Sequence, residues 1–198
     1  MQEDLEIERG NPFLKPTTSD NFDILVEHYF SNVGVVSGGF FYKRLKNYIF
    51  PFRFEEVRPL GKGTETFEIT EPRNGDKADL YGLELAYNQR FTFLPKPLDG
   101  FGVYANYTHA TSDAILPGED ISEPGRESIL PGQARNVANF AVFYEKFGFS
   151  GRGSLHYRDK YLSEVGGSAS EDLLVKNHLQ FDFSASQRIT RNFRVFAE

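Results

Sequence analysis

Polar side chains that could bind a ligand recur at every second position in two segments of the chain. The candidates are Glu84, Asn88, Arg90, Arg152, His156 and Arg158. Guanidinium and imidazole groups in a row along one strand can form a positively charged surface for an anionic ligand. The alternative is a hydrated set of side chains that pair with acidic groups on neighbouring strands, as in many structural ion-pair networks. Both interpretations require the same geometry, and the sequence leaves both open.

Aromatic side chains form a second group of candidates, in a segment rich in proline, glycine and charge. They are Phe50, Phe52, Phe54 and Phe67. Exposed rings can stack on sugars or on hydrophobic ligands. Alternatively, the same rings pack the loops together over the structure below them.

No constellation for catalysis or metal binding is recognisable. The four histidines have no metal-ligand spacing, the chain contains no cysteine, and no GxSxG motif is present. Acidic groups at Glu119–Asp120, Glu123 and Glu171–Asp172 offer oxygen ligands, but their spacing matches no calcium loop. A net charge of -6 argues against a nucleic-acid partner. We therefore expect a binding protein that is not an enzyme, with no cofactor and no metal site.

The secondary structure that carries these residues is indicated most clearly along residues 80–94, where apolar and polar side chains alternate. Apolar positions are Tyr81, Leu83, Leu85, Tyr87, Phe91 and Phe93, and the positions between them are polar or small except for the interruption at Gln89. Strands of globular proteins average about 5 to 6 residues, whereas a tilted strand needs about 9 to 11 residues to cross a membrane. The segment therefore predicts a membrane-spanning strand with one face towards lipid.

Similar alternation elsewhere predicts about eight antiparallel strands. They lie at 22–30, 35–50, 80–94, 101–108, 134–147, 149–160 and 179–186 and from residue 193 onward. Short connections at 31–34, 94–100, 146–148 and 188–192 alternate with long loops at about 1–21, 51–79, 116–133 and 163–176, which show no periodic apolar face. Outer-membrane barrels have short periplasmic turns and longer extracellular loops. The sequence thus predicts an all-β fold, the antiparallel wall of a transmembrane β-barrel, with the long loops outside the cell.

Residues 10–50 also resemble the C-terminal half of TonB-dependent outer-membrane receptors. The residues that carry the resemblance are Asn11, Pro12, Leu14, Lys15, Pro16, Ser19, Asn21, Glu27, Tyr29, Phe41, Tyr42 and Lys43. Residues 81–112 and 130–162 look like the receptor hairpins that follow. The resemblance therefore extends over nearly the whole chain.

The resemblance implies a 22-stranded barrel closed by an N-terminal plug. Such a receptor binds a scarce nutrient outside the cell and imports it with energy that TonB supplies. No plug or TonB-contacting segment and no final strands are recognisable, so we interpret residues 1–198 as a single partial barrel domain. The implied location is the bacterial outer membrane. The implied partners are its lipid, TonB through the missing plug, and a small-molecule, sugar or siderophore-like ligand.

Two other functions remain open from the sequence. The chain could form a self-contained small outer-membrane barrel that acts as an adhesin or an enzyme, because eight is an allowed strand number. It could also form a soluble β-sandwich or a lipocalin-like binder whose apolar faces pack inward. The length of the strands and the height of an exposed apolar band distinguish these alternatives from a receptor wall.

Overall fold

The computed structural model is all-β and describes residues 5–30, 33–61, 63–116 and 125–198. Its strands are β1 (Glu6–Glu8), β2 (Thr18–Phe30), β3 (Gly34–Lys46), β4 (Ile49–Leu60), β5 (Gly63–Asn74), β6 (Lys77–Arg90), β7 (Phe101–Leu116), β8 (Arg126–Ser128), β9 (Asn136–Lys146), β10 (Phe149–Arg158), β11 (Tyr161–Glu164), β12 (Leu173–Val175), β13 (His178–Arg188) and β14 (Arg194–Ala197). A 3₁₀ turn at Leu98–Gly100 precedes β7. In the described ranges, no helix has the length and hydropathy needed to span a membrane.

The main sheet has nine strands: eight follow the order β14-β13-β10-β9-β7-β6-β3-β2, and β8 pairs with β7. All neighbours on this path are antiparallel, and they correspond to the eight strands that the alternation predicts. The strand β7 is 16 residues long, and β6 is 14. Strands of this length exceed those of ordinary soluble sheets and suit a membrane-spanning wall.

The pairing register collects apolar side chains on one face of this sheet and polar side chains on the other. One apolar row consists of Val26, Gly38, Leu85, Tyr107, Ala138, Tyr157 and Leu179. The adjacent polar row consists of Glu27, Ser37, Ala86, Asn106, Asn139, His156 and Gln180. The apolar face has no covering layer in the described structure, since Leu85 is 56% exposed and Phe183 is 73% exposed. This arrangement differs from a sandwich, in which the apolar face packs against a second sheet.

The connections alternate in length, as the sequence predicts. Residues 91–100, 147–148 and 189–193 form short links at one end of the sheet, where β2 and β3 also meet, and we call this the short-turn end. The opposite end, which we call the long-connection end, carries the links that contain β4 and β5, β8, and β11 and β12.

The strand predicted at 80–94 ends earlier than expected, at Arg90. The backbone amide of Phe91 donates to the Phe101 carbonyl over 2.8 Å, and the amide of Leu94 turns back to the Phe91 carbonyl over 3.0 Å. Pro95 and Pro97 follow, and proline has no amide hydrogen with which to continue a strand. The apolar residues Phe91 and Phe93 therefore belong to the turn and not to the strand.

The expectation that 51–79 is an irregular loop was wrong. The strands β4 and β5 pair in antiparallel register from Ile49 with Asn74 to Leu60 with Gly63, and β1 adds in parallel to β5. The second sheet thus has the order β1-β5-β4. The aromatic residues at 50, 52 and 54 alternate with other residues, and this period of two is a strand signal that the charged composition obscured.

Candidate ligand-binding surfaces

The polar face of the main sheet is concave. A cavity of about 900 Å³ near the short-turn end is lined by residues from several strands, which include Tyr29, Asn88, Arg90, Tyr104, Arg152 and Ser184. Tyr29 lies on β2 and Ser184 lies on β13, so residues from distant parts of the sheet border the same space. The curvature therefore directs the polar face inward, as in the wall of a barrel.

The six polar residues predicted from the sequence all lie on this concave face, but their surroundings differ. Arg90 forms an ion pair with Glu145. The Nε of Arg152 donates to the Ser154 Oγ over 3.0 Å, and the Arg158 guanidinium lies 4.7 Å from the centroid of the Tyr161 ring. Glu84 and Asn88 are exposed. Arg152, His156 and Arg158 thus lie on the same face of β10, spread along the length of the strand.

His156 belongs to a row of polar side chains that crosses the sheet, which we call the polar ladder. Its members are Tyr104, Asn106, Asn139, His156 and Asp182. The Nδ2 of Asn106 donates to the Tyr104 hydroxyl over 2.7 Å, and the Nδ2 of Asn139 donates to Asn106 Oδ1 over 2.6 Å. Asn139 Oδ1 then contacts His156 Nδ1, and His156 Nε2 lies 3.8 Å from Asp182 Oδ2. His156 therefore lies close to an acid on a neighbouring strand, as one of the two sequence interpretations expects, at a distance longer than a hydrogen bond.

The aromatic candidates Phe50 and Phe52 are not exposed, contrary to one of the two expectations for them. Their exposed fractions are 1% and 0%, because they form the centre of a cluster at the long-connection end. We call this the long-connection core, and its members are Tyr48, Phe50, Phe52, Ala78, Ala114, Leu116, Leu162 and Val165. Phe54 and Phe67 are half-buried. Phe50 and Phe52 therefore pack the long connections together, which is the alternative that the sequence left open, and Phe54 packs partly against them.

Backbone and side-chain hydrogen bonds close the long-connection core. The amide of Arg53 donates to the Val165 carbonyl over 2.8 Å, and the amide of Val165 donates to the Pro51 carbonyl over 3.1 Å. The Tyr48 hydroxyl donates to the Ile115 carbonyl over 2.8 Å. Burial, with a smaller effect of the Asp76 charge, raises the pKa of Tyr48 to about 12, so this donor keeps its proton. Three separate long connections are thus fixed to one another.

A network of arginines and a glutamate extends from this core along one face of β4 and β5. The Arg73 guanidinium lies 3.9 Å from the centroid of the Phe52 ring, and the Arg9 guanidinium lies 5.4 Å from that of Phe54. Both arginines reach Glu71, with Nε to carboxylate distances of 2.6 Å for Arg9 and 2.8 Å for Arg73. Cation–π contacts of this type contribute about 0.5 to 2 kcal/mol, depending on their exposure to water.

This network predicts a pH dependence of the second sheet. Burial of Glu71 favours its neutral form, but the hydrogen bonds and charges of Arg9 and Arg73 outweigh burial and lower the pKa of Glu71 below 4.5. A lowered pKa means that this stabilisation is present above the pKa of the unfolded chain and is lost as the pH falls through the folded value. We expect the hairpin of β4 and β5 to become sensitive to protease below about pH 4 in the wild type. Glu71→Gln should already be more sensitive than the wild type at pH 7 and should gain less sensitivity on acidification, and a wild-type hairpin that stays unchanged down to pH 2 would contradict this assignment.

Sequence reasoning did not identify Arg9, Arg53, Glu71 or Arg73. The Nη1 of Arg53 lies 3.0 Å from Glu68 and its Nη2 donates to the Glu171 carbonyl over 2.6 Å. The alternation of opposite charges along β4 and β5 was a usable signal, but it needed the register of the hairpin. The link between Arg53 and Glu171 spans connections that are far apart in sequence, so no local pattern could reveal it.

The acidic groups considered for cation binding do not form a metal site in the described residues. Asp172 forms an ion pair with Arg126 and accepts the Gly166 amide over 3.0 Å. Its charge is therefore already compensated. Glu119, Asp120 and Glu123 lie outside the described residues.

The main sheet has long antiparallel strands, a concave polar face, an uncovered apolar face and connections of alternating length. These features define the class of outer-membrane β-barrels. The sequence matches the family model for the TonB dependent receptor-like β-barrel over residues 2–198. The chain therefore belongs to the TonB-dependent receptor β-barrel family. No match was found among curated proteins.

Solved structures of receptors have the same fold. A mutant of the ferric enterobactin receptor PfeA from Pseudomonas aeruginosa is 20% identical, with a TM-score of 0.57 over 93% of this chain and 25% of that one. The copper transporter OprC is 15% identical, with a TM-score of 0.58 over 93% of this chain and 25% of that one. The siderophore receptor PirA from Acinetobacter baumannii is 14% identical, with a TM-score of 0.55 over 93% of this chain and 27% of that one. The chain thus spans about a quarter of the length of these proteins.

Proposed function

We propose that this chain is part of the wall of an outer-membrane receptor that binds a scarce nutrient outside the cell and imports it with energy from TonB. The observation that carries the proposal is the concave polar face, with its polar ladder, on a wall whose opposite face is apolar and uncovered. A lining of this kind suits passage of a polar ligand. Family membership supports the same function.

In this proposal the apolar face contacts lipid and the long-connection end lies outside the cell. Short turns face the periplasm and longer connections face outward in barrels of this class. The main sheet leaves one edge of β2 and one edge of β14 without a partner strand in the described structure. Backbone groups at such edges need partners inside a membrane, so the wall acts together with further strands of the barrel. This argument favours a receptor wall over a self-contained small barrel.

For the ligand, we propose an anionic iron chelate. Arg152, His156 and Arg158 project from β10 onto the concave face, and Arg152 and Arg158 have no acidic partner among the described residues. Two of the solved relatives are named as ferric enterobactin and siderophore receptors, which supports an iron chelate over a sugar. Phe54 and Phe67, which are half-buried, remain proposed ligand contacts at the long-connection end.

Uptake by the full-length receptor tests the function and the role of the arginines. Cells that lack the receptor gene should lose growth on a ferric catecholate as the sole iron source, and deletion of TonB should have the same effect. Arg152→Gln/Arg158→Gln in the complete receptor should lower the rate of uptake by about tenfold, the equivalent of about 1.4 kcal/mol for two exposed charges.

Lys96→Gln provides the matched control, because it removes one cation from the short turn before β7 and leaves β10 unchanged. It should preserve uptake. Import that persists without TonB would contradict the transport mechanism. Equal loss of uptake in Lys96→Gln and in Arg152→Gln/Arg158→Gln would contradict the role in ligand binding assigned to the two arginines.

A further inference from the structure

The hairpin of β4 and β5 joins the wall through two links of two residues each. These links are residues 47–48, between β3 and β4, and residues 75–76, between β5 and β6. The φ angle of Asn47 is 53°, so the backbone departs here from the extended conformation of a strand. A two-stranded ribbon has little stability of its own, so the angle between the hairpin and the wall depends on contacts with other segments.

One edge of the hairpin is fixed by the long-connection core. The amide of Val165 donates to the Pro51 carbonyl, and Phe50 and Phe52 are buried among residues of the other long connections. These contacts hold β4. A single attachment leaves rotation about it free, so the position of β5 needs a second attachment on the opposite edge.

Residues 9–17, which we call the strap, run along the edge of β5 from the end of β1 to the start of β2. The amide of Arg9 donates to the Thr70 carbonyl over 3.0 Å. Pro72 has no amide hydrogen, so a parallel strand cannot continue its pairing past this residue. The Nδ2 of Asn11 donates to the Pro72 carbonyl over 3.1 Å instead. From Pro72 onward, side chains therefore take over the role of backbone pairing.

Asn74, the last residue of β5, connects the strap to the bend. Its Oδ1 accepts the Lys15 amide over 2.7 Å, and its Nδ2 donates to the Lys15 carbonyl over 2.9 Å and to the Asn47 carbonyl over 2.8 Å. The Thr17 hydroxyl donates to the same Asn47 carbonyl over 3.0 Å. A side-chain amide that pairs with both the amide and the carbonyl of one residue reproduces the two hydrogen bonds of a strand pair. One side chain thus joins the hairpin, the strap and the bend.

We propose that Asn74 is the positioning residue of a latch that fixes the angle between the hairpin and the wall. The latch consists of Asn11, Lys15, Thr17, Asn47 and Asn74. Its consequence for binding rests on the proposed function, in which Phe54 of β4 and Phe67 of β5 contact the ligand. A hairpin that leaves its position carries both rings away, and the apparent affinity falls with the fraction of time that the hairpin spends away. Asn74 acts without touching the ligand.

Distances between spin labels in the full-length receptor test the latch without any ligand. In a receptor without other cysteines, the labels are attached to cysteines at two exposed positions, 57 on the hairpin and 98 in the short turn before β7. Pulsed electron resonance should give a narrow distance distribution in the wild type. Asn74→Ala removes three hydrogen bonds, and we expect the width of the distribution to grow by about twofold or more.

Equilibrium binding of ferric enterobactin to the purified receptor tests the consequence for affinity. Asn74→Ala should raise the Kd by about tenfold, because the hairpin then spends only part of its time in the competent position. The maximal rate of TonB-dependent uptake at saturating ligand should stay unchanged, whereas a general loss of fold would lower it. Asn74→Asp keeps the acceptor for the Lys15 amide but sets a carboxylate against two carbonyls, so it should raise the Kd at least as much.

Two further variants separate positioning from general loss of fold. Thr17→Val keeps the size of the side chain and removes only the hydrogen bond to Asn47, so the Kd should rise by about threefold. Asn192→Ala is the matched control, since this asparagine is exposed in the turn between β13 and β14 at the short-turn end. It should leave both the distance distribution and the Kd unchanged. If Asn74→Ala fails to insert into membranes, Thr17→Val takes its place in both measurements.

A distance distribution in Asn74→Ala as narrow as that of the wild type would overturn the latch, and so would equal widening in Asn192→Ala. A wider distribution with an unchanged Kd would overturn the role of the latch in binding. The latch and the proposed function fail separately. A wild-type receptor that binds no ferric enterobactin refutes the proposed ligand, and the distances still decide whether the latch exists.

Discussion

Phe52→Ala is expected to detach the β4 and β5 hairpin from the rest of the long-connection end. The ring is fully buried and contacts the other members of the long-connection core. Truncating a buried phenylalanine costs about 3 to 5 kcal/mol, because apolar contacts are lost and a cavity remains. The Arg73 guanidinium, 3.9 Å from the ring centroid, would lose its aromatic contact as well. Limited proteolysis of the complete receptor should cleave within 49–74 far faster in the variant, with the barrel itself retained.

Phe13→Ala is the matched control for this experiment. The same change of residue is made in a loop at the same end, but the Phe13 side chain is 87% exposed. We expect no change in the cleavage of the hairpin. If Phe52→Ala resists protease as well as the wild type, the packing assigned to the long connections is wrong.

Leu85→Arg should strongly impair folding of the receptor into a membrane. Leu85 lies within the apolar rows, between Gly38 of β3 and Tyr107 of β7, and it has no covering residue in the described structure. An arginine on the lipid face of a barrel costs about 2 to 4 kcal/mol near the bilayer midplane. Folding into lipid vesicles, followed by the heat-dependent shift in gel mobility, should show a lower folded fraction or a lower midpoint in urea.

The comparison for Leu85→Arg is Asn88→Arg on the same strand. Asn88 lines the cavity of about 900 Å³ on the concave face, where a charged side chain stays hydrated. This variant should fold nearly as well as the wild type. Equal impairment by both substitutions would mean that the two faces of β6 do not differ in environment.

The main sheet could be predicted from the sequence because its signal is local. Residues of β6 alternate between leucine or tyrosine and small or polar side chains, and this period of two needs no knowledge of the neighbouring strands. The ends of strands were less predictable. The 80–94 segment keeps its alternation beyond Arg90, and the turn that ends the strand depends on hydrogen bonds to Phe101 across the connection.

The long connections could not be predicted in the same way, because their structure depends on partners from distant parts of the chain. The sequence alone leaves Phe52 either as an exposed loop aromatic or as a ring that packs the loops together, since charged and proline residues surround it. Its burial requires Leu116, Leu162 and Val165, which come from two other connections. On the concave face the types of residue were predictable, whereas the specific pairs, such as His156 with Asp182, followed only from the register of β10 and β13.

Measurement of the side-chain environment along β6 shows whether one face of this wall meets lipid and the other meets water. The chain contains no cysteine, so single cysteines can be placed at 83, 84, 85, 86, 87 and 88 in a full-length receptor from which any others have been removed. Spin labels at these positions are then read by their collision rates with oxygen, which concentrates in lipid, and with a water-soluble nickel chelate.

We expect labels at 83, 85 and 87 to favour oxygen and labels at 84, 86 and 88 to favour the nickel chelate, with a period of two residues. Equal accessibility at all six positions, or the opposite phase, would contradict the wall and the transport function proposed for it.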